Sequence, residues 1–161
     1  MANRVPPNPV ATASATSSST NVDTLPLGSV GWGELTSNSA GTTTTEVLLT
    51  VTCTGLQANR RYLVKGGTTL RSNSAGGAQL TLELDGTQIN RKNTDVLNSG
   101  TDLFVIVERE LNIAASGSHT FELISGVSGV AGNTVTAIAN GATGTHGLTY
   151  LYISDVGPSY T

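Results

Sequence analysis

The sequence predicts an all-β protein, and three observations carry that prediction. The stretch at 43–56, TTTEVLLTVTCTGL, reads with a period of two: Val47, Leu49, Val51 and Cys53 fall on one side, and Glu46, Thr50, Thr52 and Thr54 on the other. Successive side chains of a strand point to opposite faces, so such a stretch has one dry and one wetter side. The same alternation returns downstream, separated by Gly, Ser, Asn and Asp turn residues at fairly regular spacing. No segment convincingly supplies the i, i+3, i+4, i+7 apolar set that an amphipathic helix needs.

The chain has 161 residues, which fits one domain with a short appendage. Residues 1–23 read as a flexible or extended arm. Pro6, Pro7 and Pro9 favour extended backbone and lack ladder N–H groups. The Ala/Ser/Thr run at 11–20 has no large apolar residue with which to offset the entropy of ordering itself. It is either a disordered leader or an arm that orders against a neighbouring subunit. Residues 24–161 form the domain.

At 24–35, TLPLGSVGWGEL, Trp32 is expected to plug one end of the core, with its N–H finding an acceptor. The glycines around it are no nucleotide loop, because no strand–helix context surrounds them. The strand at 43–56 follows, with Leu48 as the one exception to its pattern. Strand 61–70 places Tyr62 and Val64 opposite Leu63 and Lys65. Residues 71–78, RSNSAGGA, form a loop. Strand 79–85 turns Leu80, Leu82 and Leu84 inward, and Asp85-Gly86 signals a tight hairpin into 87–92, anchored by Ile89. After a loop at 94–100, the stretch 102–113 points Leu103, Val105 and Val107 one way and Phe104 and Ile106 the other. Both faces are apolar at its start, so it is covered twice within the monomer or meets another subunit. A helix over 107–115 is disfavoured by β-branched residues. Strand 119–124 carries Phe121 and Leu123. Residues 125–133 read as irregular, 134–139 as a short strand, and 147–156 as the closing strand, with Leu148, Tyr150 and Tyr152 alternating with Thr149, Leu151 and Ile153. The count is about eight or nine strands, and a jelly-roll-like antiparallel β-sandwich of about eight fits it.

The composition narrows function mostly by exclusion. Lys and Arg total 8 against 11 Asp and Glu, a formal charge of −3, so neither nucleic acid nor an anionic membrane is expected as a partner. The single cysteine, Cys53, sits on an apolar face as a small hydrophobe and permits no intrachain disulfide, consistent with synthesis in a cytoplasm. The start, MANRVPPNPV, lacks the hydrophobic stretch of a signal peptide, and no run approaches the ~20 residues of a membrane span. His119 and His146 have no second ligand at metal spacing. Glu108/Glu110 and Glu83/Asp85 share strand faces in pairs, a spacing compatible with two glycosidase carboxyls, but solvated strand faces carry such pairs routinely. No Gly-x-Ser-x-Gly elbow exists, and Asp85 and Asp95 do not build a calcium loop. No catalytic residue, metal or cofactor is expected. For a glycan platform, Tyr62, Tyr152 and Tyr160 are the rings left available, while Trp32, Phe104, Phe121 and Tyr150 are committed to the core or to a subunit contact.

Three segments, LPLGSVGWGEL at 25–35, LTLELDGTQINR at 80–91 and LTYLYISDVGP at 148–158, together resemble small virion structural proteins of tailed phages infecting actinobacteria. Those proteins tend to carry an LP-G-VGYA-like opening, a strand followed by DGT-Q, and an ending like VEDIGP. Here Trp32 stands at the aromatic position and Ser154-Asp155-Val156-Gly157-Pro158 at the close. The resemblance implies a head-decoration or minor tail role. The leading expectation is a non-enzymatic homotrimer on the outer surface of the phage head. It would bind the major capsid protein and cement neighbouring capsomers, with Pro6, Pro7, Pro9, Phe104 and Ile106 as subunit or capsid contacts. The alternative is a tail- or fibre-associated module binding a host surface glycan. A polysaccharide-degrading enzyme built on Glu108 and Glu110 ranks last.

Overall fold

A computed structural model describes residues 18–21, 28–94, 98–128, 133–139 and 148–158. They form ten strands: β1 (Ser18–Asn21), β2 (Ser29–Glu34), β3 (Thr45–Leu56), β4 (Arg60–Ser72), β5 (Gly77–Leu84), β6 (Thr87–Asn93), β7 (Asp102–Asn112), β8 (Gly117–Ser128), β9 (Val135–Ile138) and β10 (Tyr150–Pro158). Among the described residues there is no helix.

The strands lie in two sheets, β1-β3-β8-β5-β6 and β2-β10-β4-β7, with β9 pairing the far end of β4. The pairings are nested: β5 with β6, β4 with β7, β3 with β8 and β2 with β10, all antiparallel. A ribbon of nested antiparallel pairs, wound so that its strands are shared between two sheets, is a jelly roll. The tight turn at its innermost hairpin is Asp85-Gly86, with φ of 50° and 75°. Positive φ at both central residues matches the right-handed twist of the flanking strands, which is why Asp-Gly is favoured there. The exception to the antiparallel pattern is β1, which runs parallel to β3. Ser18–Asn21, within the segment read as an arm, is thus laid along the edge of the first sheet.

The core forms between the inner faces. Val51, Cys53, Leu80, Leu82, Phe121 and Leu123 of the first sheet meet Tyr62, Val64, Leu70, Val105, Leu151 and Ile153 of the second, all buried. Two glycines let the sheets approach. A Cβ on Gly66 would overlap Leu123 Cδ1, and one on Gly31 would sit 2.5 Å from Cys53 Sγ and 2.9 Å from Val51 Cγ1.

The structure corrects several expectations. The register slips between Val47 and Leu49, so Val47 faces outward opposite Ile124 and is 49% exposed. Leu48, the extra residue of this bulge, is buried together with Leu49. A bulge shifts the alternation by one, and nothing in the strand's own sequence announces it. Tyr62 is fully buried, and its hydroxyl accepts the Gln57 N–H at 2.8 Å, so it is not available to a ligand. β8 continues through Ser128, where an irregular segment was expected to begin at Ser125. Pro6, Pro7, Pro9, Asp95, His146 and Tyr160 lie outside the described residues.

Candidate interaction surface

The two outer faces of the sandwich differ in chemistry. On the first sheet, Thr50 donates to Glu122 at 3.2 Å, Thr52 and Thr120 share a hydrogen bond at 3.2 Å, and Glu83 stands directly opposite Glu122. Val47 and Ile124 are the apolar exceptions. This is a polar, solvated face of the kind an antiparallel sheet presents to water.

The outer face of the second sheet is built by odd-numbered residues of β4, even-numbered residues of β7, Trp32 and Glu34 of β2, and Tyr150 and Tyr152 of β10. The register sets them in rows. One row runs Trp32, Tyr152, Lys65, Glu108, and the next runs Glu34, Tyr150, Gly67, Ile106. Phe104 follows opposite Thr69. Trp32 stacks on Tyr150 with ring centroids 5.6 Å apart and planes 7° from parallel, and meets Tyr152 edge-on at 6.1 Å. Gly67 makes room for this arrangement: a Cβ there would lie 2.7 Å from Tyr150 Cε1. Phe104 and Ile106 are 43% and 39% exposed. The face is therefore a belt of rings and aliphatic groups crossing the sheet from β2 to β7.

Three ion pairs close on this face between β4 and β7. Lys65 Nζ lies 3.6 Å from Glu108, Arg61 Nη1 lies 2.7 Å from Glu110, and Arg71 binds Asp102 through two bonds of 2.6 and 2.7 Å. The hydrogen bond that Arg71 donates to Asp102 holds its guanidinium above its usual pKa. Exposed pairs of this kind add little stability, about 0–1 kcal/mol each. Their consequence is different: covering the face at β4 and β7 would bury Lys65, Arg61 and Arg71 already paired, and an unpaired buried charge is what makes burial costly.

Phe104 and Ile106, expected to act together, are brought side by side on this face. Glu108 and Glu110 also share it, each paired with a cation, Lys65 and Arg61 respectively. Glu83 and Asp85 are separated. Asp85 joins the turn, 2.7 Å from His119 Nδ1, while Glu83 stays on β5 of the same sheet, opposite Glu122. Among the described residues no group of three or more His, Cys, Asp or Glu could hold a metal ion. Cys53 is buried, and desolvation pushes its thiol up to about 12.

The Trp32 cluster was missed as a surface feature, since Trp32 was expected to plug the core. Its sequence does hold a signal. In Gly31-Trp32-Gly33 a period of two puts both glycines on one side and the ring on the other, and the side that needs close approach is the inner one.

No protein-family model matches the chain, and no curated protein matches it. Several solved structures are distantly similar as β-sandwiches. An insecticidal delta-endotoxin from Bacillus thuringiensis is 10% identical over 72% of this chain and 19% of that chain, with a TM-score of 0.42. A carbohydrate binding module from Cellvibrio mixtus lichenase 5A, in complex with cellotriose, is 15% identical over 78% of this chain and 97% of that one, at 0.37. The structure of infectious bursal disease virus, Gt strain, matches at 19% identity over 77% of this chain and 35% of that chain, also at 0.37. The chain thus spans 19% of the delta-endotoxin's length and 35% of the viral chain's.

Proposed function

We propose that this chain is a non-enzymatic virion structural protein. In this reading it decorates the outer surface of a phage head as a homotrimer, binds the major capsid protein and braces neighbouring capsomers. The observation that carries it is the contrast between the two outer faces. One is polar and solvated. The other presents Trp32, Tyr150, Tyr152, Ile106 and Phe104 between ion pairs that are already closed. Large exposed apolar patches rimmed by polar residues are uncommon on free monomers and mark contact with something else. The segments at 25–35, 80–91 and 148–158, which resemble phage virion proteins, supply all or most of four strands, β2, β5, β6 and β10, and part of this face. Adhesion needs no reactive group, only apolar burial and complementary shape.

The experiment is to add purified chain to expanded capsids lacking it. It should cosediment with them, its solution mass should be that of a trimer, and images of the intact particle should show it on the head. A stable monomer at micromolar concentration that ignores expanded capsids overturns the reading.

The ring cluster favours a second reading, a tail-associated module that stacks on a host surface glycan. Rings with an open face bind sugars by such contact. This reading expects an oligosaccharide to quench the fluorescence of Trp32 and to lose affinity on Trp32→Ala. An unchanged spectrum across host-wall oligosaccharides would argue against it.

A further inference from the structure

The edge of the second sheet beside the apolar face has an orientation that can be worked out. In an antiparallel ladder, residues alternate between pairs that exchange both hydrogen bonds and pairs whose N–H and C=O point away from each other. Asn90 Nδ2 of β6 donates to the Glu108 carbonyl at 2.6 Å, so Glu108, opposite Lys65, directs its backbone away from β4. By the same alternation, so do Ile106 and Phe104. Among the described residues no strand pairs with β7 on that side. The Asn90 stitch closes the edge at Glu108 and leaves it open from Ile106 back to Phe104. An open stretch of ladder with apolar side chains is a template for one more strand.

The surroundings specify that strand's chemistry. A hollow of about 480 Å³ lies between β6 and β7, lined in part by Lys65, Arg91, Lys92, Ile106 and Glu108. Lys65 is paired with Glu108, and Arg91 is held by the neutral Gln88 side chain, with Nε 3.0 Å from its oxygen. No carboxylate of the described residues pairs with Arg91 or Lys92. On a chain with a net charge of −3, this is a local positive surplus beside an open ladder.

We propose that the open edge of β7 is a strand-addition site for an extended acidic segment of a partner protein. The segment's backbone would pair with Phe104 and Ile106, and its carboxylates would reach Arg91 and Lys92. Backbone pairing supplies affinity in this mode, and flanking side chains supply specificity. A nucleic acid or polysaccharide has no peptide ladder to offer. The chain's own first residues suit the site poorly: they carry Arg4 and three prolines, and no acid before Asp23. The inference deepens the assembly reading and rests on it only for the donor being a neighbouring virion subunit.

The test uses the full chain alone, so its outcome is separate from that of capsid binding. Fluorescence anisotropy is followed with a labelled octapeptide of alternating Val and Glu, and with its Val/Lys counterpart as control. The acidic peptide should bind at least about tenfold more tightly, a difference of about 1.4 kcal/mol. The double variant Arg91→Glu/Lys92→Glu should lose that preference. Ile106→Pro removes one outward N–H without touching the β4 ladder, and should weaken binding with little change in melting temperature. Should that variant not fold, an acidic peptide N-methylated at alternate residues serves on the native chain and should fail to bind. Equal binding of both peptides, or tight binding by the N-methylated peptide, overturns the proposal.

Discussion

Asp85, in the turn after β5, and His119, on β8, clasp the innermost hairpin to the neighbouring strand. Asp85 Oδ2 lies 2.7 Å from His119 Nδ1, Asp85 Oδ1 accepts the Thr120 N–H at 2.8 Å, and His119 Nε2 lies 2.9 Å from the Ala115 carbonyl. A carbonyl can only accept, so Nε2 carries a proton. If Nδ1 then lacked one, its lone pair would face a carboxylate. The geometry therefore asks for the imidazolium. Burial works against that charge, but the Asp85 carboxylate and the Ala115 carbonyl outweigh it, and the His119 pKa is raised. Burial likewise disfavours the Asp85 carboxylate, yet the Thr120 N–H and His119 prevail and its pKa is lowered.

The sign of the pH dependence follows. A raised histidine pKa contributes stability that is complete below the unfolded value of about 6.5 and is lost as pH rises through the folded value. A lowered aspartate pKa contributes stability above its unfolded value of about 3.9, lost as pH falls through the folded one. The melting temperature should thus hold between these limits and fall on either side. His119→Gln should flatten the alkaline limb and leave much of the acid limb. A melting temperature in the native chain that does not change from pH 6 to pH 9 would show that the clasp contributes nothing.

Phe104 and Ile106 offer a separation of stability from association. Both are exposed in the monomer, so Phe104→Ser and Ile106→Ser should each change unfolding free energy by no more than about 0.5 kcal/mol. Both should reduce self-association and capsid binding, which light scattering and cosedimentation read directly. A drop of several degrees in the monomer's melting temperature would mean that these side chains brace the sheet instead.

Cys53 gives a probe of opening. The thiol is buried and its pKa stands at about 12, so almost no thiolate exists at neutral pH. Labelling by a thiol reagent should be slow in native buffer and should quicken with denaturant along the global unfolding curve. Fast labelling without denaturant would place a local opening at β3.

Alternation made most of the strands legible, because each face's chemistry is written locally. What stayed hidden needed a partner strand. Val47 reads as core until the register with β8 slips beside it. Tyr62 reads as a free ring until the Gln57 N–H closes on its hydroxyl. Asp85 and His119 are far apart in sequence, and only the nested ribbon brings them together. On the candidate surface, Phe104 and Ile106 were visible because both sides of β7 are apolar. Trp32 was misassigned because the lone tryptophan was read as core, whereas Gly31 beside it is the residue in close contact with Cys53 and Val51.

Adjacent glycines on β4 make the sharpest test of which side is core. Gly66 and Gly67 have neighbouring positions, the same strand and the same lost backbone freedom, so their alanine variants differ mainly in what the new methyl meets. At Gly66 it overlaps Leu123 Cδ1 and sits 3.3 Å from Leu82 Cδ2, inside a close-packed interior with nowhere to yield. Gly66→Ala should therefore destabilise by about 1–3 kcal/mol, the usual cost of overpacking. Leu123→Ala alone should cost about 2–5 kcal/mol for the cavity it leaves. Combined, the two should cost less than their sum, because one methyl fills part of what the other change removed. At Gly67 the methyl meets the Tyr150 ring, which is only partly buried and can swing outward. Gly67→Ala should leave the melting temperature nearly unchanged while shifting the fluorescence of Trp32, whose stack on Tyr150 it displaces. Denaturant titration and emission spectra of the three single variants and the double variant decide the matter. If Gly67→Ala were the more damaging of the two glycine changes, the assignment of inner and outer faces on β4 would be reversed.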